Sequence, residues 1–291
     1  MKKIDIHVHT AQKKGINRHG TASTFCTPGE LLEKYEALGV ELAVILPCVN
    51  PECSYGAQSY GEIIEITEAY PGRFAWFVNI DPRALANSPD SDFSYMLQYY
   101  KGLGAKGVGE ICANLAFDDP RTENLFSHCE KNDMPVIFHI SPCLGGLYGL
   151  YDSIGLPGLE GALAKFPKLK FLGHSQPFWA EIGKGLTEEL RNGYPSGKVE
   201  PGRIVELMRK YPNLCGDLSA NSGYNAMARD PEFGYAFLEE FCDRLYFGTD
   251  ICAPENEMPL SHWLDEAVGS GKLSRGAYEK ICRKNAEALL G

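Results

Sequence analysis

The chain has little of what a nucleic-acid or membrane surface demands. Lys and Arg number 28 against 38 Asp and Glu, for a formal net charge of −10. Phosphate backbones are held by clustered Lys and Arg, so no nucleic-acid partner is expected. No apolar run approaches the roughly 20 residues that span a bilayer, so no membrane segment is expected either. The N-terminus runs straight into an apolar strand pattern, without the basic region, apolar stretch and small-residue cleavage site of a secretory signal. Ten cysteines (Cys26, Cys48, Cys53, Cys112, Cys129, Cys143, Cys215, Cys242, Cys252 and Cys282) are scattered with no C-x-x-C pair. That argues against a zinc ribbon or a dense disulfide framework, and for free thiols in a reducing cytoplasm. No G-x-G-x-x-G turn opens the first helix, which weakens a dinucleotide-binding doubly wound sheet.

What is present is a regular alternation. Eight apolar runs, Lys3–His9, Val40–Pro47, Phe74–Ile80, Lys106–Ile111, Val136–Ser141, Lys170–Ser175, Leu214–Ser219 and Leu245–Asp250, read as strands. Amphipathic patterns lie between them at 27–38, 61–70, 92–103, 123–132, 158–166, 202–211 and 232–242, and 274–290 closes the chain. Thr27-Pro28-Gly29-Glu30 reads as an N-cap with Pro in the first turn and a capping Glu, and Gly39 as a stop. Eight such repeats in 291 residues, with runs too uniformly apolar to be buried on one face only, predict a single-domain (β/α)8 TIM barrel over 1–291. Two connections are long, 10–26 and 176–201, and both fall on the face where barrel active sites sit.

The polar residues of these runs gather at one end. Asp5-Ile6-His7-Val8-His9 places two imidazoles on one strand face, because alternate residues of a strand point the same way. Glu110, His139, His174 and Asp250 each end a later apolar run, the fourth, fifth, sixth and eighth. A lone His or Asp after a strand is more often a rim residue or a helix cap. Yet four of the seven histidines sit at strand ends, and His19, His128 and His262 read as loop or surface residues. Strand C-termini converge in a barrel, so the set reads as a pocket of imidazoles and carboxylates suited to zinc, manganese or iron. An ion held there acidifies water to a pKa of about 7, so hydrolysis is the expected chemistry. Asp250 is placed as ligand or general base, and His174 as ligand or as the group polarising a substrate carbonyl.

These residues resemble the amidohydrolase superfamily. The Gly248-Thr249-Asp250 strand end and the closing Lys284-Asn285-Ala286-Glu287-Ala288-Leu289-Leu290-Gly291 look like its amidohydrolase-related branch, amidohydrolase 2. The resemblance covers essentially the whole chain. It implies a (β/α)8 barrel and a metal-dependent hydrolase, decarboxylase or hydratase of small carboxylated substrates. It further implies that His7, His9, His139 and Asp250 hold one ion, with His174 as acid/base or electrostatic partner. Where many superfamily members carry a carboxylated lysine on the fourth strand, this chain has Glu110, with Lys106 earlier on that strand. The set His-x-His, Glu, His, His, Asp is similar to TatD-type hydrolases, in which Glu links two ions, so Glu110 decides between one ion and two.

Other residues carry weaker signals. Gln176, Trp179 and Glu181 follow the sixth run and suit a pocket wall, while a loop aromatic packed on the rim, or a subunit interface in a homo-oligomer, suits Trp179 as well. Arg229 suits a bidentate clamp on a substrate carboxylate, or an ordinary surface salt bridge. Asn79 and Asn114 contact substrate or cap helices, and Cys143 and Cys252 have no neighbour that would activate a thiolate. The leading expectation is a metal-dependent hydrolase of an amide, lactone or ester in a small molecule. The alternatives are a non-oxidative decarboxylase or hydratase, then a TatD-type nuclease or a non-catalytic metal-binding barrel.

Overall fold

A computed structural model describes residues 1–291. In it all eight apolar runs form parallel strands. In chain order the strands are β1 (Lys3–Val8), β2 (Val40–Ile45), β3 (Phe74–Trp76), β4 (Val108–Ile111), β5 (Val136–Ser141), β6 (Leu150–Tyr151), β7 (Phe171–His174), β8 (Leu214–Asp217) and β9 (Leu245–Tyr246). The two-residue β6 is additional to the eight, and it pairs with the outer end of β5 through Ile140–Leu150 and Ser141–Tyr151. One ladder runs β1-β2-β3 and the other β4-β5-β7-β8-β9. Bridges at Val78–Val108 and Val8–Ile251 join them. Across the second seam the Asp250 amide donates to His7 O at 2.8 Å and the His9 amide to Ile251 O at 3.0 Å. The ring thus closes as a single-domain (β/α)8 barrel.

Apolar residues on both strand faces explain the closure. Ile4, Ile6, Val44, Leu46, Phe77, Ile137, Leu172, Cys215 and Tyr246 form one cluster with Ala286 and Leu290 of the last helix. Because it draws on nearly every strand of the ring, this cluster fills the lumen below the site. A second cluster of 61 residues fills the layer between strands and helices. Each aliphatic side chain so buried contributes about 1.5–3 kcal/mol before entropy is counted.

Two strands carry an extra residue where they approach the site. Between the Asp5–Ala43 and Val8–Ile45 pairs, β1 advances three residues against two of β2. Between Val108–Val136 and Ile111–Phe138, β4 does the same against β5. Such bulges re-aim side chains. In β1, Ile6 packs in the lumen cluster while Asp5 reaches outward to the Tyr35 hydroxyl, 2.6 Å away, and His7 and His9 turn to the centre. In β4 the bulge requires Gly109, whose φ is +139° and whose added Cβ would lie 2.4 Å from Ile137 O.

The first helix, Pro28–Leu38, begins with the expected Thr27–Glu30 capping box and ends on Gly39 at φ +70°. The closing helix is not continuous: a π turn at Lys280–Lys284 separates Arg275–Glu279 from Asn285–Leu290. Helices at Ala220–Ala228 and Pro259–Gly269 were not legible as patterns. The former holds Asn221, Gly223 and Asn225, poor helix formers, and is kept helical by burying Ser222, Gly223, Ala226 and Met227. No helix is long and apolar enough to cross a membrane.

Candidate metal centre

Five of the six donors expected from the sequence meet at the C-terminal mouth of the barrel. His7 Nε2 and His9 Nε2 lie 3.2 Å apart. Glu110 Oε2 is 3.6 Å from each, and Asp250 Oδ1 is 3.6 Å from His7 Nε2 and 3.4 Å from His9 Nε2. His174 Nε2 faces Glu110 Oε1 at 3.9 Å and Asp250 Oδ2 at 3.7 Å. Two donor triads result, His7–His9–Asp250 and His7–Glu110–His174, each with its ligand atoms within 4.8 Å of one another. His139 belongs to neither triad. Its Nδ1 bonds Glu110 Oε1 at 2.9 Å, so it adjoins the cluster through that carboxylate.

The far sides of the rings show that the cluster fits a cation. His9 Nδ1 lies 2.8 Å from Leu46 O, a carbonyl that only accepts, so Nδ1 carries the proton. His7 Nδ1 lies 2.6 Å from the Asp217 carboxylate and likewise donates. The neutral rings then present two lone pairs to each other across 3.2 Å, with carboxylate oxygens on either side. Positive charge relieves that arrangement, a shared proton in the metal-free protein or a metal ion in its place. Imidazole and carboxylate donors without thiolate suit zinc, manganese or iron.

The electrostatics agree. Burial alone would lower His7, but the Asp217 carboxylate, with smaller help from Glu110 and Asp250, holds it up at about 9. Burial would raise Asp250, and the field of His7 with hydrogen bonds from His174 and His9 holds it far below the usual carboxylate range. Glu110 is displaced the same way, by His7 and a bond from His139. Asp250 is the donor most open to solvent, its side chain 26% exposed against 0% for His7 and 7% for Glu110. Its backbone sits at φ +54°, a left-handed conformation that Asp tolerates better than most residues.

Asp217 is the functional residue that the sequence reading passed over. It is fully buried, accepts from the Ser219 hydroxyl at 3.0 Å and the Ser219 amide at 2.9 Å, and lies 3.3 Å from His174 Nδ1. Ser219 Oγ is itself 2.9 Å from His174 Nδ1. One carboxylate therefore orients two imidazoles of the cluster. The signal was available: Asp217 is a lone charge inside the apolar run Leu214–Ser219, the same cue that marked Glu110 and Asp250. Gly248 leaves it room, since a Cβ there would sit 2.8 Å from Asp217 Oδ1. Asp5 works from the next layer, accepting from Tyr35, from the Thr249 amide and hydroxyl, and from the His7 amide. It locks β1 to the turn that bears Asp250.

The remaining expected residues fall in different places. Gln176 lines a cavity of about 140 Å³ beside the cluster, with His139, Ile140, Pro142, Leu147, Tyr148 and Asn192. Tyr148 packs on the His139 ring at 4.5 Å, so the connection after β5 forms a wall that the sequence did not mark. Trp179 is 2% exposed and lies under the site, its indole N–H donating to Asp217 O at 2.8 Å. Arg229 does not line that cavity and lies beside Gly183 and Val199. Glu181 accepts from the Gly155 amide. Asn79 donates to Pro47 O and Glu110 O, fixing the end of β4. Asn114 ties Cys143 O and Gly149 O together at the base of the Tyr148 loop. Lys106 is at the opposite end of the barrel, near Gly291. A larger cavity of about 570 Å³, among Lys34, Tyr224, Met258 and Trp263, holds none of the donor groups, so volume does not mark this site.

A family model described as Amidohydrolase matches residues 4–291. Among solved structures, an amidohydrolase from Burkholderia multivorans with bound zinc superposes with a TM-score of 0.64 at 14% identity, covering 100% of this chain and 99% of that one. A Pseudomonas putida structure assigned to 2-pyrone-4,6-dicarboxylic acid hydrolase gives 0.63 at 14% identity, covering 100% and 97%. A 2,6-dihydroxybenzoate decarboxylase from Rhizobium gives 0.61 at 16% identity, covering 100% and 98%. No curated protein matches. At these identities the structures show a common fold. The family match spans nearly the whole sequence, and the chain belongs to the amidohydrolase family.

Proposed function

We propose that this member of the amidohydrolase family is a zinc-dependent hydrolase that attacks an amide, lactone or ester of a small molecule with activated water. The carrying observation is the convergence of the His7 and His9 ε-nitrogens on Glu110 and Asp250. His7, His9 and Asp250 would hold an ion, and Glu110 with His174 would complete its shell or share a second. A bound divalent ion supplies the Lewis acid that acidifies water and polarises the scissile carbonyl. Asp250, the donor most open to the cavity, takes the proton from the attacking water and returns it to the leaving group. His174, steadied by Ser219 and Asp217, stabilises the oxygen on which charge develops. Burial of His7, His9 and His174 keeps competing water from the far side of the cluster.

Zinc is favoured by the donor set and by the zinc found in the Burkholderia neighbour. Ten unpaired cysteines support a reducing, cytoplasmic setting. The acidic balance of the chain speaks against a nucleic-acid substrate. The test is product analysis with zinc-loaded protein on a panel of lactones, esters and amides. Hydrolysis releases one acid per turnover, and Asp250→Asn lowers the rate by about 10²–10⁴. Carbon dioxide released from a phenolic acid without net addition of water would assign the site to decarboxylation, the reaction named for the Rhizobium neighbour.

A further inference from the structure

Arginine side chains here are nearly all engaged. Arg83 grips Glu52 and Asp81, Arg121 Asp119, Arg203 Glu160, Arg209 Glu240 and Arg283 Glu41. Buried Arg191 donates to Asp152 O and Ser153 O. Two guanidinium groups have no hydrogen-bonding partner, Arg18 and Arg229, and the Nε of each is buried. Arg229 lies against Gly183 beneath the 176–201 connection, and burial lowers its pKa. Arg18 is placed differently.

Arg18 belongs to the 10–26 connection, which leaves β1 directly after His9. The connection is tied across its base, where the Ala11 amide donates to Cys26 O at 3.0 Å, and again within, where the Arg18 amide donates to Ser23 O at 2.8 Å. The Arg18 guanidinium lies over the Phe25 ring, 5.7 Å from its centroid, and that ring is 6.2 Å from His9. Burial opposes the Arg18 charge, and the Asp250 carboxylate, the one ionised group among those acting on it at neutral pH, favours it. Through the Phe25 ring the group neighbours His9 at the mouth of the barrel. The Phe25 ring compensates its face, but no oxygen of the protein accepts from its buried Nε.

We propose that Arg18 is a specificity-determining residue that binds a carboxylate of the substrate, holding a planar acid beside the Phe25 face. This rests on reading the cluster as a metal-dependent centre for a small substrate. The guanidinium fork matches a carboxylate with two parallel hydrogen bonds, and stacking on Phe25 fixes the plane of the fork. The apolar surface of Ile140, Pro142 and Leu147 takes the body of the molecule. The bond to be cleaved then lies toward Asp250. Neutral substrates leave Arg18 unpaired and are rejected for that reason.

The test uses the full-length zinc-loaded protein, its Arg18→Gln and Arg18→Lys variants, and benzoate against its uncharged analogue benzamide, by calorimetric titration. Zinc per chain is measured on the same samples. Benzoate is expected to bind the wild type about 10- to 100-fold more tightly than benzamide. Arg18→Gln erases that preference with zinc content unchanged, and Arg18→Lys restores part of it, a charge without the fork. Three results overturn the assignment: no benzoate binding by the wild type at millimolar concentration, equal binding of benzamide, or a carboxylate preference that survives in Arg18→Gln and so belongs to zinc alone. Failure of the metal-centre reading is distinguishable, because it shows as absent zinc in the wild type.

Discussion

Replacing Asp217 by Asn changes one atom and removes a charge, with the volume of the residue kept. Asp217 faces donors on both oxygens: Oδ2 receives His7 Nδ1 at 2.6 Å and Ser219 Oγ at 3.0 Å, and Oδ1 receives the Ser219 amide at 2.9 Å. An amide has one accepting oxygen. Turned toward His7, it sets its NH2 against the Ser219 amide; turned the other way, it sets it against His7 Nδ1–H. Either orientation loses one hydrogen bond to a charged acceptor, about 1.5–3 kcal/mol in a fully buried site. Partners behind metal-ligating histidines carry 10- to 100-fold in metal affinity or activity, which is about 1.4–2.7 kcal/mol, so the two estimates agree. The expected outcome for Asp217→Asn is zinc affinity lower by about 10- to 100-fold, read by competition with a chromophoric chelator, with unfolding still cooperative. Affinity within twofold of the wild type would refute the claim that Asp217 sets the aim of His7.

Glu110→Ala tests the number of ions. Elemental analysis is expected to give two zinc per chain falling to one, and one in both proteins would remove the bridging role. The metal-free protein carries a pH signature. His7 is held at about 9 against an ordinary 6.5. Its stabilising contribution, up to about 3 kcal/mol, is full below pH 6.5 and is lost as pH rises through 9, while zinc affinity tightens over that window. Thermal unfolding of chelator-treated protein between pH 6 and 9.5 checks the sign, and stability rising with pH there would contradict it. Gly109→Ala combines a positive φ with a Cβ 2.4 Å from Ile137 O. A loss of about 2–6 kcal/mol and failure to retain zinc are expected in denaturant titration, and near-wild-type stability would show the β4 bulge to be dispensable.

Repeat number and strand ends were open to inspection in the linear chain because they depend on local composition. Each of the eight runs is apolar on both faces, which only a closed, helix-covered sheet buries, and their polar ends mark the mouth of the barrel. The Thr27 capping box was equally local. Relations that depend on pairing were not readable. Alternation along β1 and β4 predicts simple parity, but the extra residue in each strand shifts it, so that Ile6 and His7 both face inward. The 220–228 helix is made by the core it packs against, not by its residues.

The sequence alone therefore determined the barrel, its catalytic face, and the histidines and acids that meet there, since periodicity and strand-end position are properties of one dimension. Tertiary structure decided which of those residues share an atom-scale site. It placed His139 behind Glu110, Trp179 under Asp217, and Asp217 behind two imidazoles. It also left the Arg18 Nε without a partner over the Phe25 ring, while Arg229 lies beside Gly183. Those outcomes follow from register, bulges and loop path, which bring residues more than 200 positions apart to within 3 Å, as His7 and Asp217 show at 2.6 Å.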